Sequence, residues 1–332
     1  MAAVDPAQLV EALLDAIQES GASGVLLSSA RTHPRRFIVS RSDGTTYPLW
    51  IYAWTLTPGG RPQLRNEYRI QMTTVAPPLP LSPDGPTVLI GYEPNLKMFV
   101  GFDLARHRTF TKGSPSVQVD ITVIHKALQD GLAFDRKDNG EIAVAIRPDQ
   151  FLTYVHNADE FHRYGRSATV ATLLNKASSL APIRSTDISA LPANRRRIVQ
   201  TVSRLSRAAN FRQQVLAAYG NRCAITRAQL RLVDAAHILP VGAPGSADHV
   251  CNGVALSPTF HRAFDNALVY LDERFRMRVN PAKESSLVTL KLDGGLAAFK
   301  SALGKIHLPS DRRQWPDSQF IKKAHEYRRV KT

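Results

Sequence analysis

The stretch VDAAHILP (residues 233–240), together with CNGVALSPTFHRAFDNALVYLD (residues 251–272), decides the fold of the C-terminal part of this chain. Short apolar runs bounded by glycine and proline predict a strand, a loop and a second strand, and the following Ser-Pro pair is typical of the start of a short helix. In this strand-loop-strand-helix unit, His237 ends the first strand, Asn252 precedes the second and His261 lies on the helix.

These residues resemble the HNH endonuclease motif, the ββα-metal fold. The preceding FRQQVLAAYGNRCAIT (residues 211–226) is similar to the helix and turn that lead into HNH domains of bacterial restriction enzymes, and the resemblance covers about residues 195–285. It implies hydrolysis of phosphodiester bonds, with His237 as the general base, Asn252 fixing the loop and the base, and His261 holding one divalent cation. A neutral imidazole near pH 7 suits the first role, because it can take a proton from water.

The metal site departs from the family pattern at one position. Many HNH enzymes have Asp or His directly before the base as a metal ligand, whereas this chain has Ala236. Asp234 would lie on the same strand face as Ala236, and Asp265 would lie one helical turn after His261, a spacing that slightly favours Asp265. The sequence leaves both acids open, including the alternative that each pairs with an arginine. A carboxylate with an imidazole predicts Mg²⁺ or Mn²⁺, although zinc or nickel would also fit.

The charge of the chain is unevenly distributed. The 332 residues carry a formal net charge of +15. Residues 1–190 hold 19 Lys/Arg and 18 Asp/Glu, whereas residues 191–332 hold 24 Lys/Arg and 10 Asp/Glu. A region this basic predicts a polyanionic partner, here double-stranded DNA, over the alternative of a solvated basic surface. The candidate DNA contacts are Arg195, Arg196, Arg197 and Arg262.

Composition argues against secreted and membrane proteins. Two cysteines, Cys223 and Cys251, are too few for a disulfide framework. No run approaches eighteen apolar residues, and the N-terminal segment predicts an amphipathic helix rather than a secretory signal. We therefore expect a cytoplasmic protein with no membrane association.

The N-terminal half predicts a second domain. Residues 1–165 contain short apolar runs with β-branched and aromatic residues, bounded by glycine and proline and followed by helical patterns. We expect an α+β domain with a curved sheet or partial barrel and flanking helices. Residues 166–193, rich in Ser, Ala and Thr, predict a linker, and residues 194–332 predict the HNH nuclease domain.

This layout resembles modification-dependent restriction enzymes, in which a PUA-like or similar domain senses an altered base. Trp50, Tyr52 and Trp54 alternate at strand spacing and could stack on an extruded base, although a core position is the stronger expectation. Other polar side chains could reach phosphates or base edges, or be ordinary surface residues. These are Arg69, Gln71, Ser116 and Gln118.

Three functions are consistent with the sequence. The first is a restriction-type DNA endonuclease whose N-terminal domain reads a modified base or a short sequence. The second is an effector nuclease whose N-terminal domain binds a nucleotide signal or a protein partner. The third is a DNA-binding protein with an inactive nuclease fold, which Ala236 keeps open. Many HNH nucleases pair to cut both strands, so we also expect a homodimer.

Overall fold

The chain divides into two compact units, residues 1–206 and 207–332. The computed structural model describes residues 3–41, 43–59, 61, 63–110 and 115–330. None of the helices described is both long and apolar enough to cross a membrane.

The strands of the first unit form two sheets. In its described residues they are β1 (Ala22–Leu26), β2 (Arg35–Arg41), β3 (Thr46–Thr55), β4 (Thr57–Pro58), β5 (Glu67–Gln71), β6 (Thr87–Glu93), β7 (Met98–Phe102), β8 (Ser116–Asp120), β9 (Leu132–Arg136) and β10 (Ile142–Ile146). The larger sheet has the order β1-β2-β3-β6-β7-β10-β9, and β4-β5-β8 forms the smaller one. The larger sheet is mixed, because β3 and β6 are parallel and its other neighbouring strands are antiparallel.

The larger sheet is open, with β1 and β9 at its edges, and does not close into a barrel. Both of its faces are covered, and the central strand β3 shows how. Ile51 and Ala53 belong to a core built with the helices, whereas Tyr52 and Trp54 belong to a second core shared with the smaller sheet. This alternation follows from the two-residue period of a strand. It explains why almost every residue of β3 after Pro48 is apolar.

The helices of the first unit are α1 (Pro6–Glu19), α2 (Leu104–His107), α3 (Ile121–Asp130), α4 (Phe151–Tyr164), α5 (Ala168–Ser178) and α6 (Ser185–Ser189), followed by α7 (Ala193–Ala218). Asp5 caps α1, and the buried residues Leu9, Leu13 and Ile17 have helical spacing. Much of the segment whose composition predicts a linker is helical, and its residues Val170 and Leu174 are fully buried in the first core.

The boundary between the compact units falls at Arg207, inside α7. The domain boundaries predicted from the sequence, with the first domain ending at residue 165 and the nuclease domain beginning at residue 194, stay predictions.

The second unit contains the strand-strand-helix arrangement that the sequence predicts. Its elements are β11 (Asp234–His237), β12 (Gly253–Leu256), α8 (Pro258–Asp265), β13 (Val269–Leu271), β14 (Met277–Val279), α9 (Pro281–Thr289), α10 (Leu296–Ser301) and α11 (Ser318–Tyr327). Strands β11 and β12 are antiparallel, with His237 opposite Gly253, and α8 begins two residues after β12. Phe211, Phe260 and Phe264 pack in its core. The α+β class is therefore confirmed in both units.

Candidate active site

His237 is held on two sides at the end of β11. Its Nε2 lies 3.0 Å from Oδ1 of Asp248, in the loop before β12. Its ring stacks on Phe211 of α7, with ring centroids 3.7 Å apart and planes inclined by 12°. The side chain keeps 17% of its surface exposed. The imidazole is therefore oriented by protein contacts while remaining accessible to solvent.

The environment of His237 favours the neutral ring. Burial lowers the pKa of His237 below its ordinary value, while the carboxylates of Asp248 and Asp265 act in the opposite direction. A neutral imidazole next to a carboxylate carries its proton on the nitrogen that faces the acid. His237 then donates from Nε2 to Asp248, and Nδ1 keeps a lone pair that can accept a proton.

Asn252 fixes the loop that follows His237. Its side chain is fully buried, and its Oδ1 accepts a hydrogen bond from the backbone N–H of Leu239 at 2.8 Å. Its Nδ2 donates to the carbonyls of Leu239 (3.2 Å) and Ala247 (3.0 Å) and to Ser246 Oγ (3.3 Å). These bonds tie both ends of the loop that carries Asp248 to one buried amide. The resemblance implies that Asn252 fixes this loop, and these hydrogen bonds suit that role.

His261 lies between Asp234 and Asp265, the two acids that the sequence offers as possible metal ligands. Its Nδ1 is 3.5 Å from Oδ2 of Asp234, and its Nε2 is 3.3 Å from Oδ2 of Asp265. The hydrogen bond with Asp234 is the main reason why the pKa of His261 is raised, and the same contact lowers the pKa of Asp234. Arg328 also approaches Asp265, with Nη2 3.8 Å from Oδ1.

A single cation can use His261 with only one of these acids, because the two nitrogens point to opposite sides of the ring. Neighbouring ligands of one cation lie about 3 Å apart when each is about 2.1 Å from it, and both the Asp234 pair (3.5 Å) and the Asp265 pair (3.3 Å) approach this spacing. Among the described residues, no group of three or more His, Cys, Asp or Glu side chains is arranged to hold a metal. The residues present therefore fit a cation with two protein ligands and leave its other positions to water or phosphate.

Gly253 allows the lead-in helix to approach the site. A Cβ added there would lie 2.3 Å from Cγ2 of Val215 and 3.0 Å from the Phe211 ring. Only glycine permits this contact between β12 and α7. Because Phe211 stacks on His237, Gly253 contributes indirectly to the position of the imidazole.

The arginines predicted to contact DNA fall in two places. Arg196 donates to the carbonyls of Ser189 and Leu191, each at 3.1 Å, and Arg197 pairs with Glu160. Arg195 is half-buried near the start of α7, so these three arginines lie in the first unit. Arg262 is exposed on α8 of the second unit, directly after His261.

The aromatic residues proposed for base stacking are mostly interior. Tyr52 is fully buried and donates through Oη to the carbonyl of Pro80 at 2.9 Å. Trp54 is 9% exposed and stacks on His33 with centroids 4.3 Å apart. Trp50 is half-buried, and the guanidinium of Arg36 lies over its ring.

The polar candidates on β5 and β8 are direct neighbours across the smaller sheet. Arg69 pairs with Gln118 and Gln71 with Ser116, so all four lie on one face of the sheet, opposite the buried Ile70. The structure therefore brings together residues that sequence spacing alone cannot connect. Their contact with DNA remains a prediction.

Asp248 and Phe211 are contacts of His237 that sequence reasoning missed. Asp248 lies in the irregular stretch ADHVCN, where an acid has no periodicity to mark it, and Phe211 has the pattern of an ordinary apolar residue of a helix. The one available signal is that Asp248 precedes Asn252 by four residues, within the loop that the motif must close.

Two family models match separate parts of the chain. A model described as HNH endonuclease matches residues 223–272, and one described as Methylase-associated X1 matches residues 47–155. A search of curated proteins returns no match. Among solved structures, one titled "Modification dependent TagI restriction endonuclease" aligns with 15% identity and a TM-score of 0.30, covering 83% of this chain and 80% of that chain. A TM-score this low carries no argument about fold or function.

The HNH model spans His237, Asn252 and His261 together with the strands and helix that hold them. The expectation of an HNH domain is thereby confirmed, and the N-terminal domain, which the sequence did not identify, matches Methylase-associated X1. The chain carries an HNH endonuclease domain in its C-terminal unit and is a phosphodiester hydrolase.

Proposed function

We propose that this chain is a metal-dependent DNA endonuclease of the restriction type, whose N-terminal domain reads a modified base or a short sequence. The observation that carries the proposal is the geometry of His237. Its imidazole is oriented by Asp248 and by the Phe211 ring, and it belongs to the same HNH domain as the acid-flanked His261.

His237 supplies the general base. With Nε2–H donated to Asp248, the lone pair of Nδ1 accepts a proton from an attacking water. Protonation gives an imidazolium, which Asp248 and Asp265 stabilise because both carboxylates raise the pKa of His237. The imidazole is therefore neutral before the reaction, and the two carboxylates stabilise its positive charge once it carries the proton.

We assign the protein ligands of the cation to Asp234 and Nδ1 of His261. When bound, a divalent cation would polarise the scissile phosphate and relieve the charge of the departing oxygen. Asp265 is the weaker candidate, because the Arg328 guanidinium approaches it to 3.8 Å and repels a second cation. Mg²⁺ or Mn²⁺ fits two protein ligands better than zinc, since Mg²⁺ commonly keeps several waters and binds substrate phosphates.

Selectivity would come from the N-terminal domain. HNH contacts with DNA are expected to be mostly with phosphates, which position the enzyme without reading sequence. The basic character of residues 191–332 supplies the attraction to the backbone. The Methylase-associated X1 family is named for an association with methylases, which suits a domain that senses a DNA modification. A homodimer would provide the two active sites needed to cut both strands.

The second candidate is an effector nuclease that a nucleotide signal or protein partner releases. The near-neutral balance of residues 1–190, with 19 basic and 18 acidic residues, favours this alternative, because extensive DNA wrapping calls for a basic surface.

The test is digestion of a matched set of DNA duplexes that are plain, methylated, hydroxymethylated or phosphorothioated, with Mg²⁺, with Mn²⁺ and with a chelator. We expect one modified duplex to be cut with either metal and none with the chelator. Cutting that begins only after a small molecule is added would support the effector nuclease instead. Binding without cutting under every metal, or cutting that the chelator leaves unchanged, would contradict both.

A further inference from the structure

We propose that a cavity in the first unit binds a nucleotide, with its phosphate on arginines at the rim and its base against a buried polar floor. The cavity has a volume of about 540 Å³, within the range of small-molecule sites. Three segments form it: the loop of residues 81–87, the beginning of α2 and the C-terminal end of α4. The inference rests on the proposed function only where the nucleotide is part of a DNA strand.

The floor consists of two buried polar side chains. Asp103 is 4% exposed and His162 is 5% exposed. His162 Nε2 lies 2.9 Å from Oη of the buried Tyr154, and burial lowers the pKa of His162 to about 4, so the ring is neutral at pH 7. A neutral imidazole beside a carboxylate offers hydrogen-bonding groups suited to the uncharged edge of a nucleobase.

The rim carries three arginines, Arg108, Arg163 and Arg166, which outnumber the two carboxylates that line the cavity, Asp103 and Asp159. Arg166 Nη2 donates to Oδ2 of Asp103 at 2.8 Å and so balances the charge of that carboxylate. Arg108 Nε donates to the Leu79 carbonyl at 3.0 Å, which anchors its guanidinium beside the loop. Arg163 is exposed on the last turn of α4. Clustered guanidinium groups are the preferred protein partners of phosphate.

The loop wall packs closely against β3 and carries a buried hydroxyl without a hydrogen-bond partner in the described part of the chain. Ser82 donates its backbone N–H to Oγ1 of Thr87 at 2.8 Å, and its buried Oγ has no hydrogen-bond partner among the described residues. Gly85 lies so close to β3 that an added Cβ would be 2.0 Å from the Pro48 carbonyl oxygen. Leu81 adds apolar surface that can contact the face of a base. The cavity thus combines cationic, polar and apolar surfaces, as a nucleotide requires.

Such a nucleotide has two sources that share this chemistry: a residue extruded from DNA, and a free mononucleotide. The experiment uses the full chain and measures affinity for 5′-mononucleotides with plain and 5-methylated bases, and for duplexes carrying the same bases. Two variants test the cavity. Arg163→Ala removes a rim charge, and Ala105→Phe fills space at α2 without removing a hydrogen bond. Arg184→Ala is the matched control, because Arg184 is an exposed arginine of the same unit outside the cavity.

We expect both cavity variants to weaken nucleotide binding by about tenfold or more, as loss of a charge-assisted contact or of the space for the base predicts, with no change for Arg184→Ala. An effect confined to duplexes identifies an extruded nucleotide, and an effect on mononucleotides identifies a free one. Thermal unfolding of each variant checks that it is folded. Unchanged affinity for every probe in both folded variants would overturn the inference, even if the enzyme cuts DNA. Nucleotide binding without any DNA cutting would instead overturn the proposed function.

Discussion

The carboxylate of Asp248 lies 3.0 Å from Nε2 of His237, on the ring edge opposite to the edge that carries Nδ1. This contact selects one tautomer and leaves Nδ1 as the only basic atom of the ring. The buried amide of Asn252 holds both ends of the loop that carries Asp248. The loop therefore positions the imidazole of His237 through a chain of side-chain and backbone hydrogen bonds.

Replacing Asp248 should slow cleavage without weakening DNA binding. We expect Asp248→Ala to lower kcat by about 10- to 100-fold, since partners that orient a reactive histidine typically contribute this much. Because Asp248 raises the pKa of His237, its removal should also move the acidic limb of the pH-rate profile to lower pH. Asp248→Asn, which can still accept the hydrogen bond, should recover part of the rate. An unshifted profile in Asp248→Ala would show that Asp248 does not act on the base.

A methyl group at Gly253 should displace the Phe211 ring that stacks on His237. Gly253→Ala places a Cβ 2.3 Å from Val215 and 3.0 Å from Phe211, so α7 must move away from β12. We expect a loss of about 1–3 kcal/mol in the free energy of unfolding, as overpacking of a core costs, and a lower cleavage rate. Gly242→Ala is the matched control, because nothing lies within 4 Å of its added Cβ. Equal stability of the two variants in urea would contradict this packing argument.

The two acids next to His261 should differ in their effect on metal binding. Asp234→Asn removes the carboxylate assigned to the cation, whereas Asp265→Asn removes one that Arg328 already approaches. We expect Asp234→Asn to raise the Mn²⁺ concentration needed for half-maximal cleavage more than Asp265→Asn does. With only two protein ligands, Mn²⁺ should also bind weakly without DNA in titration calorimetry. A larger shift in Asp265→Asn would reverse the assignment.

The ββα unit could be predicted because its signals are local. The Ser-Pro cap, the apolar runs and the positions of His237 and His261 assign each residue to its element from neighbouring residues alone. Asp248 could not be predicted in this way, because its role depends on how an irregular loop folds back on β11. Helical spacing slightly favours Asp265 as the metal ligand, whereas our proposal favours Asp234 because of Arg328, whose approach from the far end of the chain no local pattern predicts.

The N-terminal sheet shows a different limit of sequence reasoning. Alternation along β3 predicts that Tyr52 and Trp54 share a face, which the structure shows, but it cannot tell that a second sheet covers that face. Both residues lie in the interior as a result. The segment 166–193 has the composition of a linker, yet it places Val170 and Leu174 in the core. Burial of this kind is a tertiary property that composition does not record.

The first unit should lose stability as the pH falls below neutrality. Burial lowers the pKa of His162 from 6.5 to about 4, so the unfolded chain takes up this proton first. The stabilisation is complete above pH 6.5 and is lost progressively toward pH 4. Urea unfolding followed by tryptophan fluorescence at pH 7.5 and 5 measures the loss. His162→Gln should reduce the difference between the two pH values, and an undiminished difference would contradict the role of His162.

Glu141 should contribute to the pH dependence of stability in a separate, more acidic pH range. Burial raises its pKa, but hydrogen bonds and ion pairs with His107 and Lys137 outweigh this and lower it to about 2. Its contribution is therefore retained above pH 4.5 and lost only toward pH 2. The titration of Glu141 therefore does not overlap with that of His162 between pH 7.5 and 5. Burial also lowers the pKa of His33, to about 4, and that of His156, so only the part of the difference that His162→Gln removes reports on His162.

The most direct test of the catalytic proposal is the cleavage rate of His237→Ala on the duplex that the wild-type enzyme cuts, measured with Mg²⁺ or Mn²⁺ alongside DNA affinity. His249→Ala is the control, since His249 is an exposed histidine of the neighbouring loop. We predict that His237→Ala loses cleavage and keeps DNA affinity within about threefold, because phosphate contacts supply the affinity, while His249→Ala keeps both. Cleavage by His237→Ala at the wild-type rate would contradict the assignment of His237 as the base.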